Sequence, residues 1–153
     1  MTRRSVWFVA ATLTAALSIP GSAPAHGRPC TVGALRGTYL FTASGFTTPT
    51  GGSSPTAPKA IVEVIRFHGD GTVDVPRATR NVNGMLFQEN PGSSGTYTVD
   101  SDAVDGVCTG TLAFSAGMPN FTLYFDLLQP GVIDEIQNDT GNVFRGTAIR
   151  VGP

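Results

Sequence analysis

The sequence predicts an all-β domain, an antiparallel eight-stranded up-and-down β-barrel. Three observations predict it. Apolar residues recur with a period of two in many short runs, and no run carries the 3.6-residue period of an amphipathic helix after the first 25 residues. The composition is rich in Gly, Thr and Val, with turn residues scattered throughout. The connections are short and carry turn chemistry, so consecutive runs read as hairpins, and a meander of eight strands closes on itself to remove its edges.

The first residues precede the domain. Arg3 and Arg4 are followed by a mostly apolar run from Val6 to Ile19, then by "PGSAPA" with Ala23 and Ala25 at the small-residue positions of a cleavage site. That layout predicts a secretory signal peptide over residues 1–25, cut after Ala25. The run is too short and too rich in threonine for a membrane span, which needs about 20 apolar residues. The expectation is a secreted or periplasmic chain, with an N-terminal arm over residues 26–34 and a barrel over 35–153.

Eight strands follow in order: Thr38–Ser44, Ala60–His68, Thr72–Arg80, Met85–Gln88, Thr96–Val99, Thr111–Ser115, Phe121–Leu128 and Val143–Val151. Val132–Gln137 is a ninth candidate. The fourth run is weak and reads either as a strand or as half of a bent strand continuing into the fifth, which would restore the count of eight. Turn chemistry separates them in "HGDG", "NVNG", "NPGSSG", "AGMPN", "QPG" and "NDTGN". The exception is Gly45–Lys59, too long for a tight turn, which reads as a slack surface insertion or as a lid over one barrel mouth.

Five Gly-Thr pairs begin at Gly37, Gly71, Gly95, Gly110 and Gly146. Their separations of 34, 24, 15 and 36 share no period, which excludes a solenoid or propeller. The expectation is punctuation: glycine closes a turn at positive φ, and β-branched threonine starts the strand.

Two cysteines in an exported chain, Cys30 and Cys108, read first as one disulfide, with a metal pair or a catalytic thiol as the rivals. Closing so long a loop stabilises the fold by roughly 4 kcal/mol. No metal site and no cofactor are expected. His26, if it became the N-terminus, would offer an amine and an imidazole to copper, but the chain is otherwise unlike a copper enzyme. Asp100, Asp102 and Asp105 share a loop, with spacing that does not fit a calcium loop.

"LRGTYLFTASG", "FHGDGTVDV", "GTYTV", "CTGTLAF" and "DEIQNDTGNVFRGTAIR" together resemble small exported bacterial proteins with the allene oxide cyclase-like barrel, a relative of the calycins. The resemblance spans Leu35 to Arg150. It implies the barrel and, within the wider superfamily, either unassigned function or cyclases that fold a flexible apolar substrate in the interior. It carries no catalytic residue onto this chain.

Alternation assigns the faces. Tyr39, Phe41 and Ala43 share one side of the first strand, Ile61, Glu63, Ile65 and Phe67 one side of the second, and Phe121, Leu123, Phe125 and Leu127 one side of the seventh. Several strands are apolar on both faces, which predicts an apolar interior and an outer face covered by another subunit or an extra element. The inward residues expected to bind a ligand are Tyr39, Phe41, Glu63, Phe67 and Phe125. Glu63 stands out because isoleucines flank it: buried, it has a raised pKa and can bind a polar head group or shuttle a proton with Tyr39. Alternatively it pairs with Arg66, Arg145 or Arg150, or faces water.

After Ala25 the chain carries eight Lys and Arg against eleven Asp and Glu, with no basic patch. Nucleic acid is thus not an expected partner, and neither is an anionic membrane. No nucleophile elbow, zinc-protease helix or phosphate loop is present. The expected function is binding of a small apolar molecule in the barrel, with possible homo-oligomers. The alternatives are a cyclase or isomerase acting by confinement, or a non-catalytic envelope protein with a solid barrel.

Overall fold

The computed structural model describes residues 29–47, 57–89, 92–101, 106–115, 120–126, 129, 131–139 and 142–153. The expected signal peptide, His26, Leu127, and Asp102 with Asp105 all lie outside the described residues, as do residues 48–56. Nine strands are present: β1 (Gly37–Thr47), β2 (Ala57–Phe67), β3 (Thr72–Val82), β4 (Met85–Glu89), β5 (Ser94–Val99), β6 (Val107–Phe114), β7 (Asn120–Asp126), β8 (Val132–Gln137) and β9 (Asn142–Gly152).

Strands β1, β2, β3, β5, β6, β7, β8 and β9 pair antiparallel in chain order, and β9 returns to pair with β1. The result is a closed eight-stranded meander plus one extra strand. That extra strand is β4. It runs back along the C-terminal half of β3, while β5 takes the N-terminal end of the same edge. The two lie in succession on one edge, which is why they read as halves of a bent strand. The ninth candidate, Val132–Gln137, is β8 and a full member of the wall.

The expected insertion Gly45–Lys59 is partly strand. β1 and β2 stay in unbroken register from Gly37 opposite Phe67 to Thr47 opposite Ala57. The ladder continues through Gly45 and Pro58 because pairing on both sides of β1 outweighs their weak strand preference. This extension brings Lys59 into the wall.

A bulge sets the phase of β3. Val64 faces Arg77 and Arg66 faces Asp74, so β3 gains one residue at Val75–Pro76. Proline has no N–H for the ladder and is tolerated at such an interruption. Val73 and Val75 are buried before the bulge and Ala78 after it. Without the extra residue, Arg77 and Thr79 would take the inward parity that Ala78 and Arg80 hold.

The Gly-Thr pairs do not all punctuate. Gly37 and Gly71 have positive φ at strand entrances, as expected. Gly110 and Gly146 lie inside β6 and β9. They are glycine for want of space: a Cβ on Gly146 would lie 2.4 Å from the Thr42 carbonyl oxygen and 2.4 Å from Ala43 Cβ, and one on Gly110 would lie 2.2 Å from the Thr98 oxygen. Both mark close backbone approach in a tightly wound wall.

One end of the barrel is closed. The 3₁₀ turn Val32–Leu35 buries Leu35 against the core, and Cys30 is bonded to Cys108 of β6. Inside that end, the Tyr97 hydroxyl donates to the Val32 carbonyl (2.8 Å) and accepts from the Gly69 N–H (3.1 Å). Phe67 stacks edge-on between Tyr39 and Tyr97, at 5.4 and 4.9 Å between ring centroids. On the outside, Val64, Leu40, Ile149 and Val132 face one another in register across β2, β1, β9 and β8 and leave an apolar row on the surface.

Two stability predictions follow from the wall and the plug. Replacing Cys30 and Cys108 together by alanine lowers unfolding free energy by roughly 4 kcal/mol while the far-ultraviolet signature of the barrel remains, measured by urea titration. Gly146→Ala, which changes one methyl group, costs about 3 kcal/mol in the same assay because that methyl overlaps backbone. A neutral Gly146→Ala would contradict the close approach of β9 to β1.

Candidate functional site

At the other end, where β1, β3, β6 and β8 finish, the interior opens into a cavity of about 50 Å³. β2 contributes Lys59, Ile61 and Glu63, successive inward residues of one alternating run. β3 contributes Ala78 and Arg80, delivered by the bulge, and β4 contributes Glu89. Phe41, Phe114, Phe121 and Phe144 make the aromatic wall. Phe121 is its hub, set edge-on to Phe41 (6.1 Å) and Phe114 (6.3 Å) and tilted against Phe144 (6.4 Å).

Four ionisable side chains meet on this small cavity. Arg80 Nη2 lies 3.0 Å from Glu89 Oε1, and its guanidinium also covers the Phe87 ring. Lys59 Nζ sits 4.3 Å above the centroid of Phe144, turned onto the aromatic wall. Burial, with the neighbouring Arg80 cation second, pulls the Lys59 ammonium below its ordinary value. Glu63 is 8 % exposed. Burial pushes its carboxyl up to about 7, the Glu89 charge adds to the rise, and Lys59 opposes it.

Beside them the barrel wall holds a second buried acid. Glu135 is 2 % exposed, opposite Leu123 and Gly146, and neither carboxyl oxygen has a hydrogen-bond partner among the described residues. Burial holds it well above the carboxylate range, and Glu63 contributes in the same direction. Both acids therefore lean toward the neutral form, since a lone charge in such surroundings is expensive. Gln137, next inward on β8, donates Nε2–H to Asp139 (2.8 Å) and leaves its carbonyl oxygen unpaired.

The residues expected to bind a ligand are divided between two layers. Phe41 and Glu63 line the cavity. Tyr39 lies one inward step deeper, opposite Ile65, with its ring against Phe67 and the Arg150 guanidinium 5.5 Å over its other side. Phe67 and Phe125 are core residues of the closed half, and none of these three lines the cavity. Glu63 and Tyr39 thus do not share a pocket, because one register step separates them. No arginine takes Glu63 as a salt-bridge partner among the described residues, and Arg66 turns outward to Asp74 (3.8 Å).

Sequence reasoning passed over Lys59, Arg80, Glu89 and Glu135. Lys59 shares the parity of Glu63, so a longer second strand would have exposed it. Arg80 needs the bulge. Glu135 lies in a run where Val132 and Ile136 compete with Ile133 for the inward face. A larger groove of about 590 Å³ crosses the outer wall over Thr42, Val62, Arg145 and Thr147. It is open to solvent and gathers no comparable cluster, so the smaller cavity is the candidate site. Comparisons with protein-family models, curated proteins and solved structures found no match.

The raised acid fixes a pH dependence. Glu63 is favoured neutral in the fold, so its contribution to stability is fully present below its ordinary value near 4.5 and is lost as pH rises through about 7. The loss is roughly 3 kcal/mol. Glu135, raised in the same direction by burial, adds to the decline. Thermal midpoints followed by circular dichroism are expected to fall across that window, and Glu63→Gln is expected to flatten it. Parallel profiles for the two proteins would remove Glu63 from the account.

Proposed function

We propose that this chain is an exported small-molecule-binding barrel of the allene oxide cyclase-like type, holding the polar end of a small apolar ligand at the open mouth. A single observation carries the reading: a buried carboxyl, Glu63, stands in an aromatic-walled cavity with Lys59, Arg80 and Glu89 at its rim. The aromatic wall supplies apolar contact and the four polar side chains supply orientation, which is the division of labour of a ligand site. The resemblance over Leu35–Arg150 supports the family, and the Cys30–Cys108 disulfide fits an oxidising compartment, in keeping with a signal peptide ahead of it.

Volume decides how the ligand sits. Pockets that engulf a drug-sized molecule measure about 300–1,000 Å³, and this one measures about 50 Å³. The head group enters and the apolar body lies across the mouth. That argues against a cyclase working by confinement, which must wrap a whole flexible substrate. The ionisable cluster nevertheless favours a second reading, in which Glu63 exchanges a proton with the bound head group. The apolar row Val64, Leu40, Ile149 and Val132 supports self-association on the outer face.

Native mass spectrometry of the protein purified from its own host, with lipid extraction, tests the reading. One reproducible co-purifying small molecule is expected, and Ala78→Leu, which fills the cavity from β3, is expected to lose it. A bare wild-type protein would sink the proposal.

A further inference from the structure

The chain contains a single lysine, Lys59, and the fold places it in the cavity rather than on the outer surface. Exposed lysines hold their ammonium in water and serve as solubilising charge. Lys59 instead lays its Nζ on the Phe144 ring, at 4.3 Å, with Arg80 and Glu63 lining the same space. A primary amine crowded by a second cation in a partly desolvated site is how a lysine becomes a nucleophile. A buried carboxyl in the same cavity, pushed toward its protonated form, is the partner such an amine needs for proton transfer.

We propose that Lys59 captures the carbonyl group of an apolar aldehyde or ketone as an imine, with Glu63 as the proton donor. The inference rests on the ligand-binding reading and names its ligand class. The unprotonated Nζ adds its lone pair to the carbonyl carbon, and the carbonyl π electrons move to oxygen. One nitrogen-bound proton passes to that oxygen, giving a neutral carbinolamine. Glu63 then protonates the hydroxyl, the carbon–oxygen bond breaks and water leaves. The nitrogen lone pair closes the carbon–nitrogen double bond, leaving a protonated imine beside the Glu63 carboxylate. Amine plus carbonyl gives iminium plus water, the proton having come from Glu63, and nothing is oxidised or reduced.

The charge arrangement suits this end state. Before reaction, burial first and Arg80 second disfavour a cation on Lys59, and burial disfavours an anion on Glu63. After reaction, the iminium and the carboxylate form a matched pair in a low-dielectric space, where opposite charges hold each other most strongly. Phe114, Phe121 and Phe144 line the same cavity and offer apolar contact to the substituent on the carbonyl carbon. The small cavity admits the carbonyl end and leaves a longer tail at the mouth.

The test uses the mature protein with cinnamaldehyde and sodium cyanoborohydride, read by intact mass and peptide mapping. One reduced adduct on Lys59 is expected, absent from Lys59→Arg, and formed about a hundredfold more slowly in Glu63→Gln. Binding of cinnamyl alcohol to the unsubstituted protein, followed by calorimetry, separates the two readings, and far-ultraviolet circular dichroism reports that each variant is folded. An adduct confined to the α-amino group overturns the proposal. Alcohol binding with no Lys59 adduct overturns the imine and leaves the cavity a binding site. Failure of both ligands to bind overturns the site and the imine together.

Discussion

Strand β1 pairs with β2 along its whole length and with β9 along nearly all of it, so the first and last strands of the sheet share one ladder. Closure of this kind removes the exposed edges that a meander would otherwise present. It also fixes everything inside. Tyr39, Phe41 and Ala43 can only point inward once both neighbours of β1 are set, because a slip of one residue would turn every side chain to the other face. The fit between β1 and β9 leaves no room for a Cβ at Gly146, and that glycine is the cost of bringing the chain ends together.

Within the closed wall, polarity is sorted along the axis. The plugged half is filled by Leu35, Tyr39, Phe67 and Tyr97, and the Tyr97 hydroxyl finds an acceptor in the plug (Val32) and a donor in the turn after β2 (Gly69). Toward the mouth the interior takes Glu63, Glu135 and Gln137, three polar side chains in an otherwise apolar core. Stability alone does not ask for them, since apolar residues of similar size would fill the same space without an unpaired oxygen. Their presence sets this half apart as the one where polarity is kept at the expense of stability.

Much of the fold was legible because period two is a strong signal when both faces are decided. The inward sets of β1, β2 and β7 could be read from alternation, and two cysteines in one chain left a simple pairing. The site was less legible for three separate reasons. The extra residue at Val75–Pro76 shifts the phase of β3, and no local pattern announces that Arg80 will turn inward. Lys59 ends a stretch rich in Gly, Ser and Pro, and its last residues, Ala57–Lys59, are strand because they pair with the end of β1. Glu135 lies in a strand with apolar residues at both parities, where burial depends on neighbours that are distant in sequence. Glu63 drew notice because isoleucines flank it at the same parity, but the sequence left burial, an arginine partner and solvent all open, and the fold decides for burial.

The plug at the far end has a kinetic meaning. A barrel open at both ends lets an incoming molecule push an occupant through. Among the described residues, Leu35, Tyr97 and the Cys30–Cys108 bond close the floor, so a ligand held as proposed would share one doorway with whatever would replace it. Exchange must run in order, with departure first and arrival second. The rate of replacement then equals the rate of escape, however concentrated the competitor. For the proposed ligand, a cul-de-sac of this kind would act as a timer, its interval set by the residues at the door.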